Sequence, residues 1–300
     1  MATQTVDFSA IETVTRDGVN LNQVVVDGYT IWNSAHIGLF WQQLGSEFNG
    51  TAAFDKFGAS IAINTDGTRI VIGSPFEGSG EARVYSWNGS FWSLMSGGLL
   101  DTSFVSIGNG NSLNPYIIGA DVSISGDGNT IMVGCSNDID SGDGLVVRLT
   151  YNGTTWTRQG MCTFGSLYKG FTYVKLSADG SKTIAMIVKT GSPQPRACIM
   201  FNTIDLDIYS QNNQSPVEEA AFTVDLHAEA ANVNGDGTVV VVSEKLATRN
   251  GFTNAGEVRA YNVSGTSVSQ RGQFISGTAQ DMELGEGVDV DSSGNRIAMT

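Results

Sequence analysis

"SISGDGNTIMVG" (123–134) and "AINTDGTRIVIG" (62–73) are one phrase written twice. Each has an alternating apolar stretch, an Asp-Gly pair, a more continuously apolar stretch and a closing Gly. The phrase returns as "YVKLSADGSKTIAMI" around Asp179-Gly180 and as "ANVNGDGTVVVVS" around Asp236-Gly237. It appears once more with Ser293-Gly294 in place of Asp-Gly. The turn glycines Gly67, Gly128, Gly180, Gly237 and Gly294 are separated by 61, 52, 57 and 57 residues. Apolar alternation at a period of two reads as strand, and Asx-Gly supplies the positive φ of a tight turn, so the phrase is a β-hairpin.

Behind the hairpins come further strands. "GEARVYSWNGSFWSLMSG", "DGLVVRLTYNGTTWTRQG" and "AGEVRAYNVSGTSVSQRG" each hold an alternating strand, an Asn-Gly or Ser-Gly turn and another strand. Four antiparallel strands in each repeat predict a β-propeller blade, because one sheet cannot cover both its faces and a ring of stacked sheets can. The fold class is therefore all-β: a propeller with about five units near 41–98, 99–160, 161–214, 215–272 and 273–300, preceded by a small β-hairpin module over residues 1–40. The third unit holds "TGSPQPRACIMFNTIDLDIYSQNNQSP", lacks the aromatic-Asn-Gly turn and is expected to be irregular at its outer edge. Residues 215–222, "SPVEEAAF", are the one place where a short helix fits. The last unit stops two strands short. "YTIWNSAHIGLFWQQLG" (29–45) resembles "VYSWNGSFWSLMSG" (84–97) and is expected to supply the missing strands if the ring closes.

Composition narrows the function. Of 300 residues 37 are Gly and only 5 Pro, which favours many tight turns over disorder. A net charge of −14 argues against binding nucleic acid phosphates. No apolar run is long enough for a transmembrane helix, and the first residues lack the pattern of a signal peptide. Cys135, Cys162 and Cys198 match no zinc spacing and no disulfide framework is expected; Cys135 is read as a small hydrophobe.

Residues 41–75, "WQQLGSEFNGTAAFDKFGASIAINTDGTRIVIGSP", resemble an FG-GAP-like repeat through Trp41, Leu44-Gly45, Asp55, Gly58, Asp66-Gly67 and Gly73-Ser74-Pro75. Residues 270–294 carry a weaker version of the pattern. The resemblance implies a propeller and no particular activity. The amino-terminal "VTRDGVNLNQVVVDGYTIWN" resembles the small modules that open tailed-phage structural proteins, where a strand ends in a pair like Ile31-Trp32. That likeness implies a docking role for Ile31 and Trp32 and partners among other virion proteins, contacted through residues 1–40.

Candidate chemistry is sparse. His36 and His227 lie apart in sequence and are read as surface or packing residues. Asp66, Asp127, Asp179 and Asp236 recur, yet Asp before Gly is a turn former and the spacing puts one on each blade. "SNDIDSGDG" (136–144) gathers Asp138, Asp140 and Asp143. This is the candidate Ca²⁺ loop, although its register departs from the usual one and no Glu closes it; a solvated acidic turn is the competing and heavier reading. Apart from that ion no cofactor is expected. The loops after the second strand of each unit vary, so Glu77, Glu81, Arg249, Asn250 and Phe252 are candidate binding residues.

These observations predict a non-enzymatic virion component of a tailed phage, in the tail, neck or fibre. It would be present in several copies, assembled in the host cytoplasm and carried outside on the particle, and would act in assembly or in attachment to a host glycan or receptor. The alternatives are a secreted or cell-surface adhesion propeller binding Ca²⁺ and glycan or protein ligands, and an enzyme built on a propeller scaffold. The last needs clustered acid/base residues on inner strands, which the sequence does not display.

Overall fold

The computed structural model describes residues 15–16, 19–20, 23–26, 29–33, 43–78, 80–101, 117–136, 145–163, 168–189, 196–203, 220–223 and 228–300. The chain divides into two compact units, Met1–Ser46 and Glu47–Thr300. The first holds two hairpins: β1 (Thr15–Arg16) pairs with β2 (Val19–Asn20), and β3 (Gln23–Val26) with β4 (Tyr29–Asn33). Ile31 and Trp32 lie on β4, with Trp32 opposite Val24. β4 belongs to a sheet of its own with β3.

The second unit is all-β, and no α-helix occurs among its described residues. Its first sheet is β5 (Ser60–Ile63), β6 (Arg69–Ser74), β7 (Glu81–Trp87) and β8 (Trp92–Leu100), in that order. The second is β9 (Ile117–Ile124), β10 (Thr130–Ser136), β11 (Leu145–Tyr151) and β12 (Trp156–Thr163). The third is β13 (Tyr168–Leu176), β14 (Lys182–Lys189), β15 (Arg196–Asn202) and β16 (Ala220–Thr223). The fourth is β17 (Ala231–Val233), β18 (Val239–Glu244), β19 (Glu257–Ser264) and β20 (Ser267–Gln270), with β21 (Ile275–Ser276) also paired to β19. The fifth has two described strands, β22 (Val288–Val290) and β23 (Ile297–Met299). Every named pairing is antiparallel between neighbours in sequence, apart from β19 with β21, which is also antiparallel. This is the meander of a propeller blade, repeated.

One expectation changes. Residues 215–219 of the candidate helix lie outside the described residues, and 220–222 are strand rather than helix: Ala221 stands opposite Ile199 and Phe222 opposite Cys198. A one- or two-turn helix is marginal by itself, whereas the open edge of β15 offers a ladder of backbone partners. The same strand completes the third sheet, which therefore keeps four strands despite its unusual sequence.

The core lies between sheets. Val71, Ala82 and Val84 of the first sheet pack with Val122, Ile124, Ile131, Val133 and Val147 of the second. Ile184, Met186 and Met200 of the third meet Val233, Val240 and Val242 of the fourth. Val241, Val258 and Ala260 of the fourth meet Val290 of the fifth. Alternation sends successive side chains to opposite faces, so each inner sheet feeds two such layers. Trp156 is 2% exposed, packed on Tyr151 with ring centroids 5.4 Å apart, while Trp87 and Trp92 pair half-buried on the outer strands.

Candidate binding face

The repeated phrase closes in the same way five times. The turn glycine has φ of +71°, +72°, +74°, +76° and +73° at Gly67, Gly128, Gly180, Gly237 and Gly294. The Asp before it keeps a negative φ, so each turn is a four-residue loop rather than a two-residue one with both φ positive. The glycine N–H bonds the carbonyl three residues back, as in Gly128 N to Ser125 O at 2.9 Å.

Two side chains finish each of the first four turns. Three residues before the glycine, a polar side chain accepts the N–H that starts the second strand. Asn64 accepts from Arg69 at 2.8 Å, Ser125 from Thr130 at 3.0 Å, Ser177 from Lys182 at 3.0 Å and Asn234 from Val239 at 2.8 Å. The Asp before the glycine accepts the N–H after it, at 3.0 Å for Asp66, 2.9 Å for Asp127 and Asp179, and 3.1 Å for Asp236. The fifth turn has Ser293 at that position, and Asp291 alone accepts from both Asn295 and Arg296, at 2.8 and 3.0 Å.

These bonds set the titration of the carboxylates. Asp66 and Asp236 are held below the ordinary carboxylate range first by the hydroxyls of Thr68 and Thr238. Partial burial pushes Asp127 and Asp179 up, but hydrogen bonds led by Ser125 and Ser177 outweigh it and leave both lowered. Asp291 is lowered first by the Arg296 N–H. A general base near neutral pH needs the opposite shift, so these acids are fixed anions of the scaffold.

Along the inner side of the turns, an open pocket of about 190 Å³ is lined by one pair from each unit: Ile63 and Thr65, Ile124 and Gly126, Leu176 and Ala178, Val233 and Gly235, Val290 and Ser292, with Asn234 beside them. None of these lining residues is titratable, so the funnel offers apolar surface, backbone and hydroxyls.

The opposite ends of the strands carry the variable loops. In the first unit Glu81 belongs to β7 rather than to the loop. Its carboxylate lies buried 2.5 Å from Arg83, and burial raises its pKa against the pull of that cation. Arg83 in turn stacks over Phe57. Glu77 is half-buried. Asp55 closes the preceding loop by accepting from Phe57, Ala52 and Thr51, which lowers its pKa. Phe54 stands 92% exposed beside Lys56, which lies over Phe76.

The fourth unit repeats the arrangement with a longer loop. Glu257 is 1% exposed and clamped between Arg249 and Arg259, with Arg249 Nη2 at 2.7 Å and Arg259 Nη2 at 2.6 Å from Oε1. The Glu257 bond raises the Arg249 pKa further above its ordinary value. Arg249 and Phe252 exchange backbone bonds at 3.1 and 2.8 Å across Asn250-Gly251, whose φ values of +53° and +84° make a two-residue hairpin. Asn250 reaches Ser276 at 3.3 Å, Asn254 reaches Asp281 at 2.9 Å, and the N–H groups of Asp281, Glu283 and Leu284 bond Thr253, Asn254 and Ala255. On this frame Phe252 is 40% and Phe274 44% exposed, with Arg249 over the Phe274 ring.

The structure thus brings together Arg249, Asn250 and Phe252, and adds Phe274, which sequence reasoning did not single out. It places Glu77 and Glu81 in a different unit, with Glu81 turned inward. The signal for the inward carboxylates was present as "GEARVY" (80–85) and "GEVRAY" (256–261), with Glu and Arg two apart and so on one face of a strand. Asp138, Asp140 and Asp143 lie outside the described residues, as do His36 and His227. Among the described residues no cluster of three metal-ligating side chains occurs.

No protein-family model matches the chain, and no curated protein matches its sequence. Solved structures match it in fold. The periplasmic gluconolactonase PpgL of Pseudomonas aeruginosa is 13% identical with a TM-score of 0.51, over 81% of this chain and 64% of that one. A hydrazine synthase of Kuenenia stuttgartiensis is 14% identical with a TM-score of 0.49, over 80% and 60%. The β-propeller domain of the trilobed protease of Pyrococcus furiosus is 8% identical with a TM-score of 0.41, over 75% and 59%. The chain spans less than two thirds of the length of each. At such identity the fold alone is shared, and it is a β-propeller.

Proposed function

We propose that this chain is a non-enzymatic structural protein of a tailed-phage virion, a tail, neck or fibre component that uses its propeller in assembly or host attachment. The observation that carries the reading is the loop frame of the fourth and fifth units. Backbone and side-chain bonds hold the loop from Lys245 to Gly256 against residues 275–285, and Phe252 and Phe274 stand out from it. A rigid frame presenting aromatic rings beside a fixed guanidinium suits recognition of a protein or glycan surface, since little ordering entropy remains to be lost on binding. The acids that recur around the axis are occupied as turn acceptors, which supports a binding role over turnover. The resemblance of residues 14–33 to phage amino-terminal modules supports the virion assignment, with Ile31 and Trp32 as docking residues. The test is Phe252→Ala with Phe274→Ala, which removes the exposed rings and leaves Arg249 paired with the buried Glu257. Attachment or incorporation falls while the thermal transition of the propeller survives. Unchanged attachment and incorporation would overturn the role of this face.

A further inference from the structure

Four inner strands bury a position that the first strand leaves bare. The fourth residue before each turn glycine is Ile124, Leu176, Val233 and Val290 in the second to fifth units, all 9% exposed or less, but Ile63 in the first unit is 56% exposed. Two residues earlier, Val122, Val174 and Ala231 are 0%, 0% and 6% exposed, against 57% for Ile61. Where these positions are covered, the cover comes from the preceding unit, as Val71, Ala82 and Val84 cover Val122 and Ile124.

A backbone ladder around the axis breaks at the same seam. Each unit donates to the next: Thr65 N to Gly126 O at 3.1 Å, Gly126 N to Ala178 O at 2.7 Å, Asp179 N to Gly235 O at 2.9 Å and Gly235 N to Ser292 O at 3.0 Å. Among the described residues the Ser292 N–H and the Thr65 carbonyl are its two loose ends, and they are not bonded to each other.

We propose that a further blade of this same repeat class occupies the seam between the fifth and first units. Its turn accepts a hydrogen bond from Ser292 N–H and donates one to Thr65 carbonyl. Its apolar second and third strands lie over Ile61 and Ile63, continuing the interface that the other units already share. The seam asks for one acceptor and one donor in a single strand end, which a blade of this type carries. A second copy of the chain, meeting the seam with its own bare Ile61 face, does not present that pair.

The test takes residues 1–300 by themselves, where Ile61 and Ile63 are bare, with Ile61→Asp and Ile63→Asp together, beside Val122→Asp as the covered equivalent. The double variant keeps the thermal midpoint of the parent, whereas Val122→Asp loses the cooperative transition. In the chain as it is made in its host, a photo-cross-linking residue at position 61 yields an adduct to a strand that follows an Asx-Gly or Ser-Gly turn outside residues 47–300. Destabilisation of the double variant to the level of Val122→Asp would overturn the proposal, because five units would then close on themselves. So would an adduct to residues 47–300 of another copy, or a dimer that the double variant converts to monomer.

Discussion

Asp127→Ala tests whether the recurrent carboxylates belong to the scaffold. The side chain accepts from Ser125 Oγ at 2.5 Å, Asn129 N at 2.9 Å and Asn129 Nδ2 at 3.0 Å. Ser125 is 1% exposed and uses the same oxygen to accept the Thr130 N–H, so Asp127 fixes the hydroxyl that starts β10. Three bonds of about 0.5 kcal/mol each, the low end because the carboxylate faces water, sum to about 1.5 kcal/mol. In a domain of this size that lowers the thermal midpoint by about 3–6 °C. Asp127→Asn keeps an acceptor and loses less. The native pKa lies below the unfolded value of 3.8, so the stabilisation is complete above that pH and is lost as pH falls through the native value. Differential scanning calorimetry at neutral and acid pH therefore shows a gap between parent and Asp127→Ala that narrows in acid. An unchanged midpoint at neutral pH, or a gap that persists in acid, would refute the structural assignment.

Three further outcomes follow from the geometry. Gly256 has φ +79° and an added Cβ would sit 2.2 Å from the Leu284 carbonyl oxygen, so Gly256→Ala costs about 2–5 kcal/mol and frees the 281–285 amides to hydrogen exchange. Glu257→Ala leaves two guanidinium groups against a buried gap and costs about 3–5 kcal/mol in chemical denaturation, while Glu257→Gln loses less because it keeps the shape and one acceptor. Cys135 is fully buried and its thiol pKa is pushed up to about 12, so the native protein does not react at this residue with a thiol reagent at mildly alkaline pH and does so once unfolded.

What the sequence shows and what it hides divide along one physical line. The Asx-Gly hairpins were legible because positive φ and polar capping demand a small set of residues, so the demand is printed at each turn. The four-strand unit was legible through period-two alternation. Residues 220–222 were misread because the helix-forming Glu218, Glu219 and Ala220 state a local preference, and the open edge of β15 overrides it. Glu81 was placed in a loop because a charged residue beside Gly and Ser reads as solvent-facing; its strand begins at that residue, and Arg83 on the same face makes burial tolerable. Phe274 was missed because its partner Arg249 is 25 residues away, and nothing local marks the pairing.

The most direct test of the virion assignment is quantitative mass spectrometry of purified phage particles from the host that makes this chain. The account predicts peptides of residues 47–300 at a fixed number of copies per particle, unchanged by further purification. Their absence from particles, with the chain found free or on the cell surface, would contradict it.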